Sequence, residues 1–160
     1  MPALQPLRAE HAPALLDFEL ANRAYFAASI PDRGDDYFAR FEERLGELLA
    51  WQAEGRDFLH VLVEEGGEVV GRVNLVDAVD GCAELGYRIA ERAAGRGLAT
   101  AGVREVCGLA VARYGLTALR AETTVDNGAS RTVLARTGFV TVGEAVVDGR
   151  TRIRYRLDLV

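Results

Sequence analysis

The segment Arg92–Thr100, with the sequence RAAGRGLAT, decides the fold of this chain. It follows an apolar, strand-like run at residues 83–90 and opens a long amphipathic segment with helical spacing. Two glycines one residue apart permit a tight turn and leave no Cβ to keep a ligand from the backbone. The first helical turn presents amides without intrahelical partners at the positive end of the helix dipole. The segment therefore predicts a site for phosphate oxygens.

Two familiar phosphate-binding motifs do not match this turn. A P-loop has Lys followed by Ser or Thr after its second glycine, where Leu98 and Ala99 stand here. A dinucleotide fingerprint has Gly or Ala at the position of Thr100, and it needs a parallel βαβ unit, whereas the upstream chain has the pattern of antiparallel hairpins. Two alternatives stay open: dinucleotide binding with Asp126 on a ribose, and an ordinary strand-to-helix connection that binds nothing.

Three segments of the chain resemble the Gcn5-related N-acetyltransferases (GNAT). Arg92-x-x-Gly95-x-Gly97 is similar to the R/Q-x-x-G-x-G/A signature for acetyl-CoA in that superfamily. Residues 124–139 resemble its strand-end Asn, short helix and closing Gly-Phe. Residues 84–87 (ELGY), the Asn-x-x-Ser spacing and residues 22–23 resemble the RimJ/RimL-type branch, which acetylates the N-termini of ribosomal proteins. The resemblance covers nearly the whole chain, with the segments in the correct order.

Both the resemblance and the residue patterns favour a mixed α/β fold forming one domain over residues 1–160. We expect a mostly antiparallel sheet of six to seven strands, with a central parallel pair splayed at the cofactor site and about four flanking helices. Asp148-Gly149 is a strong signal for a hairpin turn. The patterns predict strands at residues 4–8, 58–64, 68–76, 82–90, 119–125, 139–147 and 150–159, and helices at residues 12–25, 35–49, 97–114 and 127–136.

Composition narrows the classes of function. The 160 residues are 49% hydrophobic and 27% charged, enough for one well-packed core. A net charge of −5 argues against nucleic-acid binding. Cys82 and Cys107 are isolated and there are only two histidines, so we expect no metal site. The chain has no apolar run of about 20 residues and no signal-like N-terminus, which favours a cytoplasmic protein without a membrane partner.

The resemblance implies an enzyme that moves an acetyl group from acetyl-CoA to a primary amine by direct transfer, without a metal. The acceptor would be a protein N-terminus or a small-molecule amine. The alternative is a catalytically silent acyl-CoA-binding sensor or interaction domain. The sheet edges leave both a monomer and a homodimer open.

Two residues are the candidate catalytic groups. Glu84 places a carboxylate in an otherwise apolar strand, where it is costly to bury without a purpose, and we expect it to take the amine proton directly or through water. Pairing with an arginine is the alternative. Ser130 is the candidate donor to the leaving thiolate, although Asn127 and Ser130 are also routine helix-capping residues. Many superfamily members use a tyrosine where Leu134 stands here.

The remaining predicted contacts follow from the resemblance. Backbone amides near Tyr87 or Arg88, exposed by a bulge at Gly86, are expected to bind the oxyanion. Predicted cofactor contacts are Tyr87, Arg88, Ile89, Arg92, Gly95, Arg96, Gly97, Leu98, Ala99, Thr100 and Asn127. Predicted acceptor contacts are Asn22, Arg23, Tyr25, Phe26 and Tyr37.

Overall fold

The computed structural model describes residues 1–160 and contains one seven-stranded sheet, in the order β1-β2-β3-β4-β5-β7-β6. The strands are β1 (Ala3–Pro6), β2 (Phe58–Val63), β3 (Val69–Val79), β4 (Cys82–Ile89), β5 (Ala118–Thr124), β6 (Val140–Val147) and β7 (Arg150–Asp158). The helices are α1 (Ala12–Ala21), α2 (Arg23–Ala27), α3 (Asp35–Ala39), α4 (Phe41–Ala53), α5 (Leu98–Ala112) and α6 (Gly128–Arg136). Short 3-10 turns occupy Ala9–His11 and Glu91–Ala93.

The centre of the sheet is a parallel pair that separates soon after it forms. β4 and β5 pair in parallel at only three positions, the last joining Glu84 to Arg120. Beyond that point β4 runs on to Ile89 and β5 to Thr124 without pairing to each other. Every other strand pair is antiparallel. The predicted mixed sheet with a splayed central pair is confirmed.

The separation arises between two intact halves of the sheet. β4 keeps its register with β3 as far as the pair Gly71↔Ile89, and β5 keeps its register with β7 as far as Thr124↔Arg152. The bulge expected at Gly86 is therefore wrong, because Gly86 pairs regularly with Asn74. The strands diverge as two ladders, and no extra residue is inserted.

Helices cover both faces of the sheet. Side chains of successive strand residues point to opposite faces, so Arg72 and Val73 mark the two sides of β3. Arg72 bonds to Glu19 of α1, whereas Val73 packs close to Gly102 of α5. The buried residues Val103, Val106 and Ala110 of α5 belong to the core cluster that contains the centre of the sheet.

The N-terminal half has more helices than expected. The segment predicted as one helix at residues 12–25 breaks at Asn22 (φ −108°, ψ 10°). The segment predicted at residues 35–49 breaks at Arg40 (φ −113°, ψ 31°). Six helices form instead of about four, and none of them is long and apolar enough to cross a membrane.

The hairpin turn at Asp148-Gly149 is confirmed. Both residues have positive φ, 51° and 75°, which is typical of a type I′ turn and matches the twist of the two strands it joins.

Leu119→Ala tests how far the folded state depends on the short parallel pairing. Leu119 is 0% exposed, and its truncation leaves a cavity between the sheet and α5, so we expect a loss of about 2–5 kcal/mol in the free energy of unfolding. Val142→Ala, on the exposed surface of β6, should stay within about 0.5 kcal/mol of the parent. Urea denaturation measures both. A similar effect of the two substitutions would contradict this account of the core.

Candidate active site

The gap between β4 and β5 opens into a cavity of about 1010 Å³. Its wall includes five consecutive residues of β4, Leu85 to Ile89, and four consecutive residues of β5, Ala121 to Thr124. Neighbouring side chains on a strand point to opposite faces. A cavity that touches consecutive residues on both strands therefore passes through the sheet.

The free edge of β4 supplies backbone groups to this cavity. The amide of Ala90 donates to the carbonyl of Val70 at 2.9 Å, toward β3. Backbone groups of an antiparallel strand alternate in direction, so those of Arg88 also face β3, and those of Tyr87 and Ile89 face the gap. These donors and acceptors lie where β5 has moved away, and they are free to pair with an extended ligand.

The glycine-rich turn forms one end of the cavity. Gly95 and Gly97 both have a φ of 75°, a conformation that L side chains rarely adopt. No atom lies within 4 Å of a Cβ built at either position, so backbone conformation and not crowding requires these glycines. Gly97 caps α5 without a side chain, and the amide of Ala101 is the first to bond back, to the carbonyl of Gly97 at 3.0 Å. The amides of residues 98–100 are left for a ligand.

The two arginines of the turn lie away from the cavity. Arg92 donates to Glu64 at 2.7 Å on the surface. Arg96 is exposed, and neither side chain is part of the cavity wall. The attraction for phosphate at this end therefore comes from the amides and the helix dipole rather than from these guanidinium groups.

A pair of hydroxyl groups crosses the cavity near the start of α6. The Oγ atom of Ser130 is 3.0 Å from the hydroxyl of Tyr87. Asn127 accepts the amide of Ser130 at 3.1 Å and so caps α6. Burial raises the pKa of Tyr87, although the bond to Ser130 opposes the shift, and the phenol stays protonated at neutral pH. Leu134 is 1% exposed and offers only methyl groups.

The two glutamates near the gap have different positions. Glu84 belongs to the last paired position and lies 4.0 Å from Arg120, outside the cavity wall. Glu122 lies two residues further along β5 and is part of the wall. Strand alternation places Glu122 on the same face as Arg120 and Glu84. The predicted base therefore pairs with an arginine, and Glu122, a carboxylate at the cavity beside the gap, is one that the sequence analysis did not select.

Only some of the predicted acceptor contacts reach the cavity. Tyr25 and Phe26 are part of its wall. Both polar atoms of the Asn22 carboxamide bond to the backbone. Nδ2 donates to the Phe18 carbonyl, and Oδ1 accepts a bond from the Glu91 amide. It thereby fixes the end of α1 to the segment before the glycine turn.

The other two predicted acceptor contacts also have partners elsewhere. Arg23 forms ion pairs with Asp32 and Asp35. Tyr37 packs edge-on against Phe41 and accepts a bond from Arg72 at 3.3 Å. Neither side chain is part of the wall. The remaining predicted residues in the wall are Tyr87, Arg88, Ile89, Gly95, Gly97, Leu98, Ala99, Thr100, Asn127 and Ser130.

Apart from Arg88, the arginines that line the cavity are the main feature that the sequence analysis missed. Arg72 is a charged residue with mostly apolar neighbours in β3, the same signal that drew attention to Glu84. Arg152 is also part of the wall. It lies in β7, where every second residue from Arg150 to Arg156 is arginine, a pattern typical of a strand face exposed to solvent. No group of three or more His, Cys, Asp or Glu side chains has the arrangement of a metal site.

The fold and the cavity define a class of protein in which the central parallel strands of a mixed sheet separate around a cavity. The acetyltransferase (GNAT) domain family matches residues 3–140. The chain belongs to this family of acyl-CoA-dependent acetyltransferases. A search of curated proteins finds no match to the sequence.

Solved structures support the same assignment. The Vibrio fischeri ribosomal-protein-S5-alanine acetyltransferase matches with a TM-score of 0.91 and 21% identity, over 97% of this chain and 91% of that one. Mycobacterium smegmatis RimJ in complex with CoA-disulfide matches with a TM-score of 0.86 and 27% identity, over 97% of this chain and 80% of that one. The Vibrio cholerae spermidine N-acetyltransferase with CoA and spermine matches with a TM-score of 0.80 and 17% identity, over 98% of this chain and 95% of that one.

Proposed function

We propose that this protein transfers the acetyl group of acetyl-CoA directly to a primary amine. One observation carries the proposal. A single cavity runs from the free amides at the start of α5, along the unpaired edge of β4, to the hydroxyl pair of Tyr87 and Ser130. Phosphate, amide and thioester groups occur in that order along a CoA thioester. The diphosphate would bind at Gly95–Thr100, and the pantetheine amides would pair with Tyr87 and Ile89 as an added strand does.

The transfer needs two proton movements. The amine nitrogen attacks the thioester carbonyl and loses a proton, while the carbon–sulfur bond breaks and the thiolate takes a proton. An alkyl amine is mostly protonated at neutral pH, with a pKa of about 8–10, so a base is required. The backbone amide of Tyr87, which faces the gap, is the donor best placed to stabilise the oxyanion.

Ser130 and Tyr87 would supply the proton to the thiolate. Their hydroxyls are hydrogen-bonded, so Ser130 can pass on a proton and recover one from Tyr87. The raised pKa of Tyr87 keeps that proton available at neutral pH. Glu122 is the stronger candidate for the base because it is part of the cavity wall, with Glu84 as the earlier candidate.

The similar solved structures indicate the chemical class of the acceptor. Proteins of this fold include a ribosomal-protein-S5-alanine acetyltransferase and a spermidine N-acetyltransferase. A primary amine is the group these acceptors share. A silent acyl-CoA sensor remains the second candidate function, and turnover of acetyl-CoA with any amine excludes it.

Gly97→Ala tests the phosphate turn. The new side chain must adopt a φ of 75°, at a cost of about 1–2 kcal/mol, so the turn should change shape and acetyl-CoA should bind roughly tenfold more weakly. Gly108→Ala, on the exposed face of α5 and with open space around it, is the control and should bind normally. Calorimetric titration with CoA gives both affinities. Stabilisation by NAD and not by CoA would end the proposal.

Ser130→Ala and Tyr87→Phe test the proton donor. Each should lower turnover by about 10²-fold or more with CoA affinity nearly unchanged, since general acid catalysis contributes about 10²–10⁴-fold. The double variant should be little worse than either single one, because the two hydroxyls act in one chain. Steady-state kinetics with a thiol-release assay measure these effects. Full additivity of the two losses would mean that the hydroxyls act separately.

Glu122→Gln and Glu84→Gln distinguish the two candidate bases. If Glu122 takes the amine proton, its variant should lose about 10²-fold or more in turnover at neutral pH and recover part of it at high pH, where the free amine accumulates. Glu84→Gln should keep most of its turnover because Glu84 faces Arg120. The opposite ranking in pH–rate profiles would restore Glu84 as the base.

A further inference from the structure

The cavity wall carries much more positive than negative charge. It contains six arginines and only two acidic residues, Glu122 and Asp148. The arginines of the wall are Arg33, Arg72, Arg88, Arg136, Arg150 and Arg152. The arginines of the glycine turn are not among them. The excess of positive charge is therefore additional to the diphosphate site.

Three of these arginines surround a single buried carboxylate. Glu19 is 1% exposed and accepts bonds from Arg72 at 2.7 Å, Arg33 at 3.0 Å and Arg88 at 3.3 Å. Burial raises the pKa of Glu19, but the Arg72 and Arg33 guanidinium groups outweigh it and keep that pKa below its usual value. One anion among three cations leaves a surplus of two positive charges on this wall.

Two arginines of the wall also have unsatisfied donors. The Nε atoms of Arg72 and Arg152 are the only buried side-chain nitrogens or oxygens without a hydrogen-bond partner in the structure. Arg72 is 3% exposed, and its bonds to Glu19 and Tyr37 both come from Nη1. A buried donor without an acceptor lowers stability, and an anion that accepted a bond from it would remove this penalty.

The charge on Arg88 is also incompletely balanced. Burial and the nearby Arg33 lower the pKa of Arg88 to about 10, and Glu19 opposes this only in part. Its guanidinium lies over the ring of Phe26, 4.9 Å from the centroid. The Arg88 side chain is therefore charged at neutral pH and held in place, and its positive charge is only partly neutralised.

A purely structural role explains this cluster poorly. A buried ion pair contributes little stability over apolar residues of similar size, and each unpaired charge adds a cost. One arginine would neutralise Glu19, yet three are present and all three are part of the cavity wall. Strand register also places Arg72 beside Arg88 on the same face of the sheet. The guanidinium groups thus form one continuous surface beside the free edge of β4.

We infer that Arg33, Arg72 and Arg88 form a carboxylate-binding subsite in the cavity, so that one of the two substrates carries a carboxylate near the group transferred. The inference rests on the proposed acetyl transfer and names its substrate class. The guanidinium fork matches the two oxygens of a carboxylate, which can accept paired bonds. A polyamine acceptor would meet a surplus of positive charge here. The carboxylate has two sources: the amine acceptor, as in an amino acid or acidic peptide, and the acyl chain of a dicarboxylic thioester.

Matched substrates test the subsite and identify the source. The first arm compares alanine with alaninamide, and peptides with Glu or Gln as second residue, as acceptors of acetyl-CoA; spermidine is the cationic comparison. The second arm compares succinyl-CoA with acetyl-CoA on one neutral amine. The expected result is a preference of about 10–100-fold in kcat/KM for the carboxylate in one arm, the range of a charge-assisted hydrogen bond.

Variants of the subsite show whether the arginines cause the preference. Arg88→Gln should reduce the preference, a ratio of kcat/KM values measured on one and the same variant, to near unity. Arg33→Gln, nearer the surface with a side chain 27% exposed, should reduce it in the same direction and serves if Arg88→Gln fails to fold. Arg40→Gln removes an exposed arginine paired with Asp36 and should leave the preference intact.

Each outcome bears on the subsite separately from the proposed transfer. Acetyl transfer with equal rates in both arms, a preference for spermidine, or a carboxylate preference that survives both Arg88→Gln and Arg33→Gln would overturn the subsite alone. An absence of CoA binding and of transfer to every amine would overturn the proposed function instead. Calorimetric binding of glutarate, weakened in Arg88→Gln, would support the subsite without depending on turnover.

Discussion

The early separation of β4 from β5 is the constraint on which the rest of the structure depends. Three paired positions hold the two halves of the sheet together, and beyond Glu84 and Arg120 the halves diverge. Each half keeps its own regular antiparallel ladder, so the separation loses hydrogen bonds only at the two facing edges. The backbone groups along those edges need partners, and in the proposed function an extended amide-bearing ligand would supply what the missing strand pairing would have supplied. The site therefore arises because the parallel pairing of β4 and β5 stops after three positions.

The charge distribution of the chain complements this geometry. The protein carries a net charge of −5, yet six arginines converge on its cavity. A basic cleft in an acidic protein focuses attraction on the cleft and leaves the outer surface repulsive to anions. The positive groups are also divided by task. Backbone amides and a helix dipole serve the end at Gly97, and fixed guanidinium groups serve the wall around Glu19.

The sequence predicted those features whose cause is local. Gly95, Gly97 and the Asp148-Gly149 turn all have the positive φ values that their residue types favour, and short patterns encode such conformations. The helix break at Asn22 could not be predicted, because it accompanies a side-chain bond to the distant Glu91 amide.

The same limit applies to the site. The sequence suggested a glutamate beside the gap, but the choice between Glu84 and Glu122 depends on where two strands stop pairing. That position depends on pairings of each strand with residues that are distant in the chain. The arginine cluster was equally hidden, since Glu19 and Arg72 are 53 residues apart and each reads as an isolated charge. Partners at such separations leave no periodic signal.

The position of Leu134 shows that a hydroxyl group in the cavity wall can come from a different secondary-structure element. This residue is buried in the core cluster of the central sheet, where a phenol would need both space and a partner for its hydroxyl. The hydroxyl comes instead from the facing strand, through Tyr87, and meets Ser130 across the gap. The proposed transfer needs a donor at a point in the cavity and not on a particular helix. A strand that lines that point can provide the donor because the splayed pair keeps both walls within hydrogen-bond reach of each other.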